Sequence, residues 1–173
     1  MKIFLIVFLV MVASPLYANP VFEKYINWLV TNSDFEYNGE ELPTVKRIPR
    51  EWMQVYAYGS ETVAESEKSG TTLPGILALY DDINNQFILP EDLDINDYKN
   101  HHIIVHELVH YLQKINGDYN TPEAEECITS LEPIAYELQL KWMEDVDHPG
   151  QRPNKLFLFM LSRACKEHFH GGG

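Results

Sequence analysis

Positive charge is scarce in this chain. The 173 residues hold 13 Lys and Arg against 26 Asp and Glu, a formal net charge of −13. Such a surface argues against nucleic acid and anionic membranes as partners, because both need a cationic face. The acidity favours solubility, and charge runs of this kind mark solvated faces rather than a cationic substrate. Cysteine is scarcer still, with Cys127 and Cys165 alone. Two thiols are too few for a disulfide-stapled scaffold, and their spacing matches no metal motif. In an exported chain, two is the number for one bridge. Apolar runs of membrane-spanning length are also missing. The unbroken run Ile3 to Val12 falls short of the roughly 20 residues a spanning helix needs. No internal repeat and no second compositional regime is present, so one domain is expected.

The apolar run reads as a leader. Met1-Lys2 is a short positive start, Ser14-Pro15 breaks the run, and Leu16-Tyr17-Ala18 ends on a small residue. A signal peptide over 1–18 is therefore expected, with 19–173 as the mature domain, periplasmic or extracellular. No Cys follows the cut, which argues against a lipid anchor there. Losing Lys2 moves the net charge to −14, since all 26 acids lie beyond residue 18. The mature chain is expected to have no membrane span, to be a monomer, and to carry a Cys127–Cys165 disulfide.

What is present centres on Ile103 to Gln113, IIVHELVHYLQ. It contains H-E-x-x-H. On a helix, His106 and His110 share one face one turn apart, near enough to hold one metal ion, and Glu107 lies beside them. Ile104, Leu108, Leu112 and Ile115 recur at helical spacing, and the histidines fall roughly opposite the centre of that stripe. Asn116-Gly117 supplies a stop. The bland alternative is an amphipathic helix with two solvated histidines. A pair of core histidines is less favoured, because the two lie off the stripe.

The flanks suggest a mixed fold. Asn19-Pro20 opens a helix whose Phe22, Tyr25, Ile26, Leu29 and Val30 share a face. Residues 32–41 are loop-like, and Thr44 to Arg50 is an exposed connection or short strand. Glu51 to Tyr58 mixes aromatic and β-branched residues and reads as a strand. Residues 59–72 read as a surface excursion. Gly75 to Tyr80 and Gln86 to Leu89 read as a hairpin, and residues 91–100 as an acidic loop. Thr121-Pro122-Glu123 starts a second helix bearing Ile128, Leu131, Ala135, Leu138 and Trp142, bent at Pro133. Lys155 to Phe169 forms a last helix. His101 and His102 read as solvated, and His168 and His170 as weak candidates.

The hairpin, the H-E-x-x-H helix and the following Glu132-Pro133-Ile134-Ala135-Tyr136 resemble the zincin metallopeptidases, gluzincin branch. The resemblance covers roughly Gly75 to Trp142. The stretch Val105 to Gln113 with Ala135 to Gln139 also resembles small exported bacterial proteins of unknown function. No Gly-x-x-His follows His110, so the metzincin extension is missing. The resemblance implies an α+β, zincin-like minimal metallopeptidase domain, with a small sheet packed on the histidine helix and further helices behind. It implies Zn2+ on His106, His110 and Glu132, Glu107 as general base, and a peptide or protein substrate pairing with the edge strand Ile76 to Tyr80. Tyr136, one turn beyond Glu132, is the candidate oxyanion donor, though an ordinary packing role is favoured.

Glu123, Glu125, Glu126 and Glu137 compete with Glu132 for the third ligand. If the second helix returns antiparallel, His110 and His106 lie about 10 to 16 Å down the first helix, Glu132 about 16 Å down the return, Glu125 and Glu126 about 6 to 8 Å, and Glu137 about 24 Å. The level of Glu132 matches. The expected function is a secreted zinc-dependent metallopeptidase-like hydrolase. The alternatives are a non-catalytic, zinc-stabilised exported binding module and an acidic interaction protein without metal.

Overall fold

A computed structural model describes residues 20–154 and 157–158, apart from the side chains of Glu125, Glu126 and Ile128. The expected leader (1–18), Cys165 and with it the Cys127–Cys165 bridge, His168, His170 and nearly all of the last helix lie outside the described residues. Phe157 and Leu158 are helical, as expected there, and the Leu158 N–H donates to the Asn154 carbonyl at 3.1 Å.

Helix α1 (Pro20–Asn32) buries Phe22, Tyr25, Ile26 and Leu29, the face its periodicity marks. Strand β1 (Thr44–Ile48) follows an irregular link and is largely exposed. The expected strand over Glu51 to Tyr58 is instead helical, a 3-10 turn at Arg50–Trp52 running into α2 (Met53–Tyr58). Of this whole stretch only Met53 is buried, and Trp52 is 57 % exposed. Aromatic and β-branched residues favour strands when a half-buried pleated face receives them, and here no such face exists. Gly59, at φ 83°, turns the chain into α3 (Ser60–Ser69), which has no buried residue. The surface excursion is thus a helix, closed by left-handed Gly70.

Strands β2 (Leu79–Asp81) and β3 (Gln86–Pro90) form the expected hairpin in shortened form. The sheet order is β1-β3-β2, with β1 parallel and β2 antiparallel to β3, so β2 is an edge. Leu79 pairs with Ile88. Continuing that register would set Leu77 opposite Pro90, which has no N–H to donate, so the ladder ends and residues 75–78 leave it. The turn is held by Asp81, whose carboxylate accepts from the backbone N–H groups of Ile83 (3.2 Å) and Asn84 (3.1 Å).

Helix α4 (His101–Ile115) is the centre of the domain and is buried on almost every side, touching α1, β2 and α6. Gly117 at φ 89° ends it. Thr121 caps α5 (Pro122–Glu126), accepting from the Ala124 N–H at 3.3 Å. The expected single second helix is broken in three: α5, a 3-10 turn at Ile128–Leu131, and α6 (Glu132–Asp145). Pro133 does not bend a helix. It sits in the first turn of α6, where its missing N–H would have no intrahelical partner. Leu131, Ala135, Leu138 and Trp142 are buried as the stripe implies. The core closes with Phe22 edge-on to Phe87 and Tyr25 edge-on to Trp142, each at 5.1 Å; full burial of one such side chain contributes about 1.5–3 kcal/mol. The described residues thus form an α+β arrangement of six α-helices and a three-stranded mixed sheet.

Candidate metal centre

His106 and His110 project from one face of α4, with Nε2 atoms 3.2 Å apart. The Glu132 carboxylate, at the start of α6, meets both: Oε2 is 3.2 Å from His106 Nε2 and Oε1 is 3.5 Å from His110 Nε2. Three donors held about 2.05 Å from one centre at tetrahedral angles stand about 3.3 to 3.4 Å apart. The observed separations of 3.2 to 3.5 Å lie near that value, with the carboxylate presenting a different oxygen to each ring. Among the described residues, this is the cluster of three or more His, Cys, Asp or Glu side chains spaced to hold an ion. Glu123 and Glu137 are exposed. The level estimate picked Glu132 on the premise of a continuous return helix; the residue arrives instead by a break and a fresh helix start.

The outer ring nitrogens are also engaged. His106 Nδ1–H donates to the Gln139 side-chain oxygen at 3.0 Å, and His110 Nδ1–H donates to that of Gln113 at 2.9 Å. Gln113 is itself fixed, its amide donating to the Leu131 carbonyl at 2.9 Å. Both glutamines are buried. With the Nδ1 protons committed, each Nε2 lone pair faces the shared point. While both rings are neutral, two lone pairs and a carboxylate converge with no donor among them, a set that a cation completes, whether a metal ion or a proton taken up on an imidazole. The charge balance agrees. Burial resists charging His110, yet Glu132 outweighs it and raises the imidazole above its ordinary value. Burial likewise resists ionising Glu132, but hydrogen bonds from His106 and His110 hold its carboxyl well below the usual range. Sequence reading passed over both glutamines as participants. Gln113 stands one turn after His110 and Gln139 two turns after Glu132, so the helical spacing was there to be read.

The two histidines are not solvated, as an amphipathic helix would leave them: His106 is 9 % and His110 8 % exposed. The remaining exposure opens into a cleft of roughly 1020 Å³. Glu107 lines the same cleft and is 5 % exposed. Burial pushes its carboxyl up, against the pull of His106 and His110. Tyr136 lines the same cleft and packs on His106, the ring centroids 4.4 Å apart. Burial first, then Glu132 and Glu107, raise its phenol, so it keeps its proton. Tyr58 and Tyr119, which sequence spacing did not single out, line the cleft too, and burial raises both phenols. Residues 75–78 pass along the cleft beside the end of the β2 edge.

His101 and His102 depart from the expectation of solvation. His101 is buried and hydrogen-bonded through Nδ1 to the Tyr25 hydroxyl. His102 donates from Nδ1 to the Lys99 carbonyl at 2.9 Å and lines the cleft.

Fold and site together define a small α+β domain in which two buried histidines of the central helix α4 meet a half-buried glutamate from the start of α6, open to a cleft. The chain belongs to the family described as a domain of unknown function (DUF6647), whose model matches residues 17–170. No curated protein and no solved structure matches it.

Proposed function

We propose that this protein is a zinc-dependent hydrolase of peptide or amide bonds with a zincin-like arrangement, acting outside the cytoplasm after loss of its leader. The observation that carries the reading is the meeting of His106 Nε2, His110 Nε2 and the Glu132 carboxylate at separations of 3.2 to 3.5 Å, beside buried Glu107 and inside an open cleft. His106, His110 and Glu132 would hold the zinc. When bound, it would supply a water of lowered pKa and polarisation of the scissile carbonyl.

The chain's own groups do the rest. Gln113 and Gln139 hold the imidazoles in the tautomer that points Nε2 inward. Glu107 is next to the cluster and outside it, so its carboxylate takes the proton of the attacking water and returns it to the leaving amine. Its raised value brings it nearer neutrality, where a group that both accepts and donates works best. Tyr136 keeps its hydroxyl proton at the edge of the site and can donate to a developing oxyanion. A structural metal site has no use for a free buried carboxylate beside it, which favours an enzyme over a zinc-stabilised binding module.

The test is digestion of a broad peptide library by zinc-loaded protein and by Glu107→Gln. The parent should cleave. Glu107→Gln should keep fold and zinc while losing hydrolysis by orders of magnitude. Zinc binding with no cleavage of any peptide by the parent would favour the binding module.

A further inference from the structure

The cleft is not charged as the rest of the molecule is. Acids outnumber cations 26 to 13 in the chain. Among the described residues lining the cleft, the acids are Glu107 and Glu132, both at the centre, and the two remaining charged side chains are cations, Lys99 and Arg152. No ion pair engages either of them among the described residues, whereas Arg50 and Lys114 pair with Asp92 and Asp82 at 2.9 Å.

Their position is built rather than incidental. Lys99 stands just before α4, seven residues ahead of His106, or about 10 Å along the axis at 1.5 Å per residue. His102 lies between them on the cleft side. Arg152 is brought to the same end by a pinned segment. The buried His148 ring donates from Nε2 to the Tyr98 carbonyl at 2.7 Å and accepts the Gly150 N–H on Nδ1 at 2.9 Å. Gly150 is pressed so close that a Cβ there would stand 2.8 Å from the His148 ring and 2.9 Å from His102 Nδ1. Residues 98–102 and 148–152 therefore form one corner, and both of its cations stand at the rim of the cleft.

We propose that this corner is a subsite for a carboxylate of the substrate, about three residues from the scissile bond, held by Lys99 and Arg152. The inference rests on the hydrolase reading and names its substrate class. An extended chain advances about 3.3 to 3.6 Å per residue, so a span of about 10 Å covers about three residues. Both side chains are exposed at the rim of the cleft, and in an acidic protein they make a local anion site where the remaining surface repels anions. The carboxylate is that of an acidic side chain or of the chain terminus.

Three fluorescein-labelled octapeptides distinguish the sources: one with a central Glu and an amidated end, one with a central Gln and a free carboxyl end, and one with Gln and an amide. Binding is read by anisotropy at low ionic strength on full-chain protein carrying Glu107→Gln, which stops cleavage. At least one carboxylate peptide should bind at least fivefold tighter than the neutral one. Lys99→Gln with Arg152→Gln should abolish that preference and leave neutral-peptide affinity and zinc content unchanged, which also shows that the fold is intact. Equal binding of all three, no binding of any, or a preference that survives the double substitution overturns the proposal. Zinc uptake and cleavage of the same peptides by the parent report separately on the hydrolase reading. A carboxylate preference without cleavage would leave the subsite standing and remove the enzyme.

Discussion

Glu107 and Glu132 line one cleft, and their surroundings push them in opposite directions. Imidazole hydrogen bonds hold Glu132 ionised, the state of a ligand, while burial raises Glu107 toward the state of a proton carrier. His106, Glu107 and His110 were legible because a metal-sharing pair at i and i+4 leaves its mark in spacing alone. The two glutamines stand at helical spacing from the cluster, but spacing alone does not name their partners, which appear only when the Nδ1 atoms are seen to meet α6 and the end of α4. Gln139→Leu tests that role. It removes the acceptor of the His106 Nδ1–H and frees the ring to turn, so zinc affinity should fall by about 10- to 100-fold in a competition titration with a chelator. Unchanged affinity would show that the bond does not orient the ligand.

At the scale of elements, α1, the β2–β3 hairpin and α4 were legible from periodicity and turn chemistry, and α2 and the broken return to α6 were not. Both misses have one cause. Propensity and stripe describe which residues suit an element, while the partner surface and the position of a proline decide where it starts. Pro133 makes this measurable. A proline inside a helix costs about 3 kcal/mol, so replacing it with Ala would stabilise strongly. In the first turn of α6 it is compatible, and Pro133→Ala should instead be neutral or destabilise by up to about 1 kcal/mol in urea unfolding. A large gain would contradict the break.

The hairpin turn carries a pH dependence of its own. Burial works against the Asp81 charge, but hydrogen bonds from Asn84, Tyr56 and Gln86 outweigh it and hold the carboxyl well below the ordinary Asp value of about 3.9. A depressed folded value stabilises above the unfolded value and loses that contribution as pH falls through the window beneath it. Asp81→Asn should therefore melt below the parent at pH 7, and the gap should narrow below about pH 4. A gap of constant size would show that the carboxylate charge is not what holds the turn.

For the whole molecule, charge and burial separate two surfaces. The outside is acidic, and the cleft gathers its acids at the centre and cations at one corner. Composition made the first legible and could not show the second, because Arg152 joins Lys99 only through the folded His148 corner. The buried centre likewise joins α4 to α6 across a break that no single helix register describes. Zinc stoichiometry of full-chain protein, measured by elemental analysis after reloading and dialysis, tests the centre most directly. About one zinc per chain is expected, lost in His106→Ala, His110→Ala and Glu132→Ala and kept in Glu123→Ala and Glu107→Gln. A parent chain without zinc, or Glu132→Ala holding zinc as tightly as the parent, would contradict it.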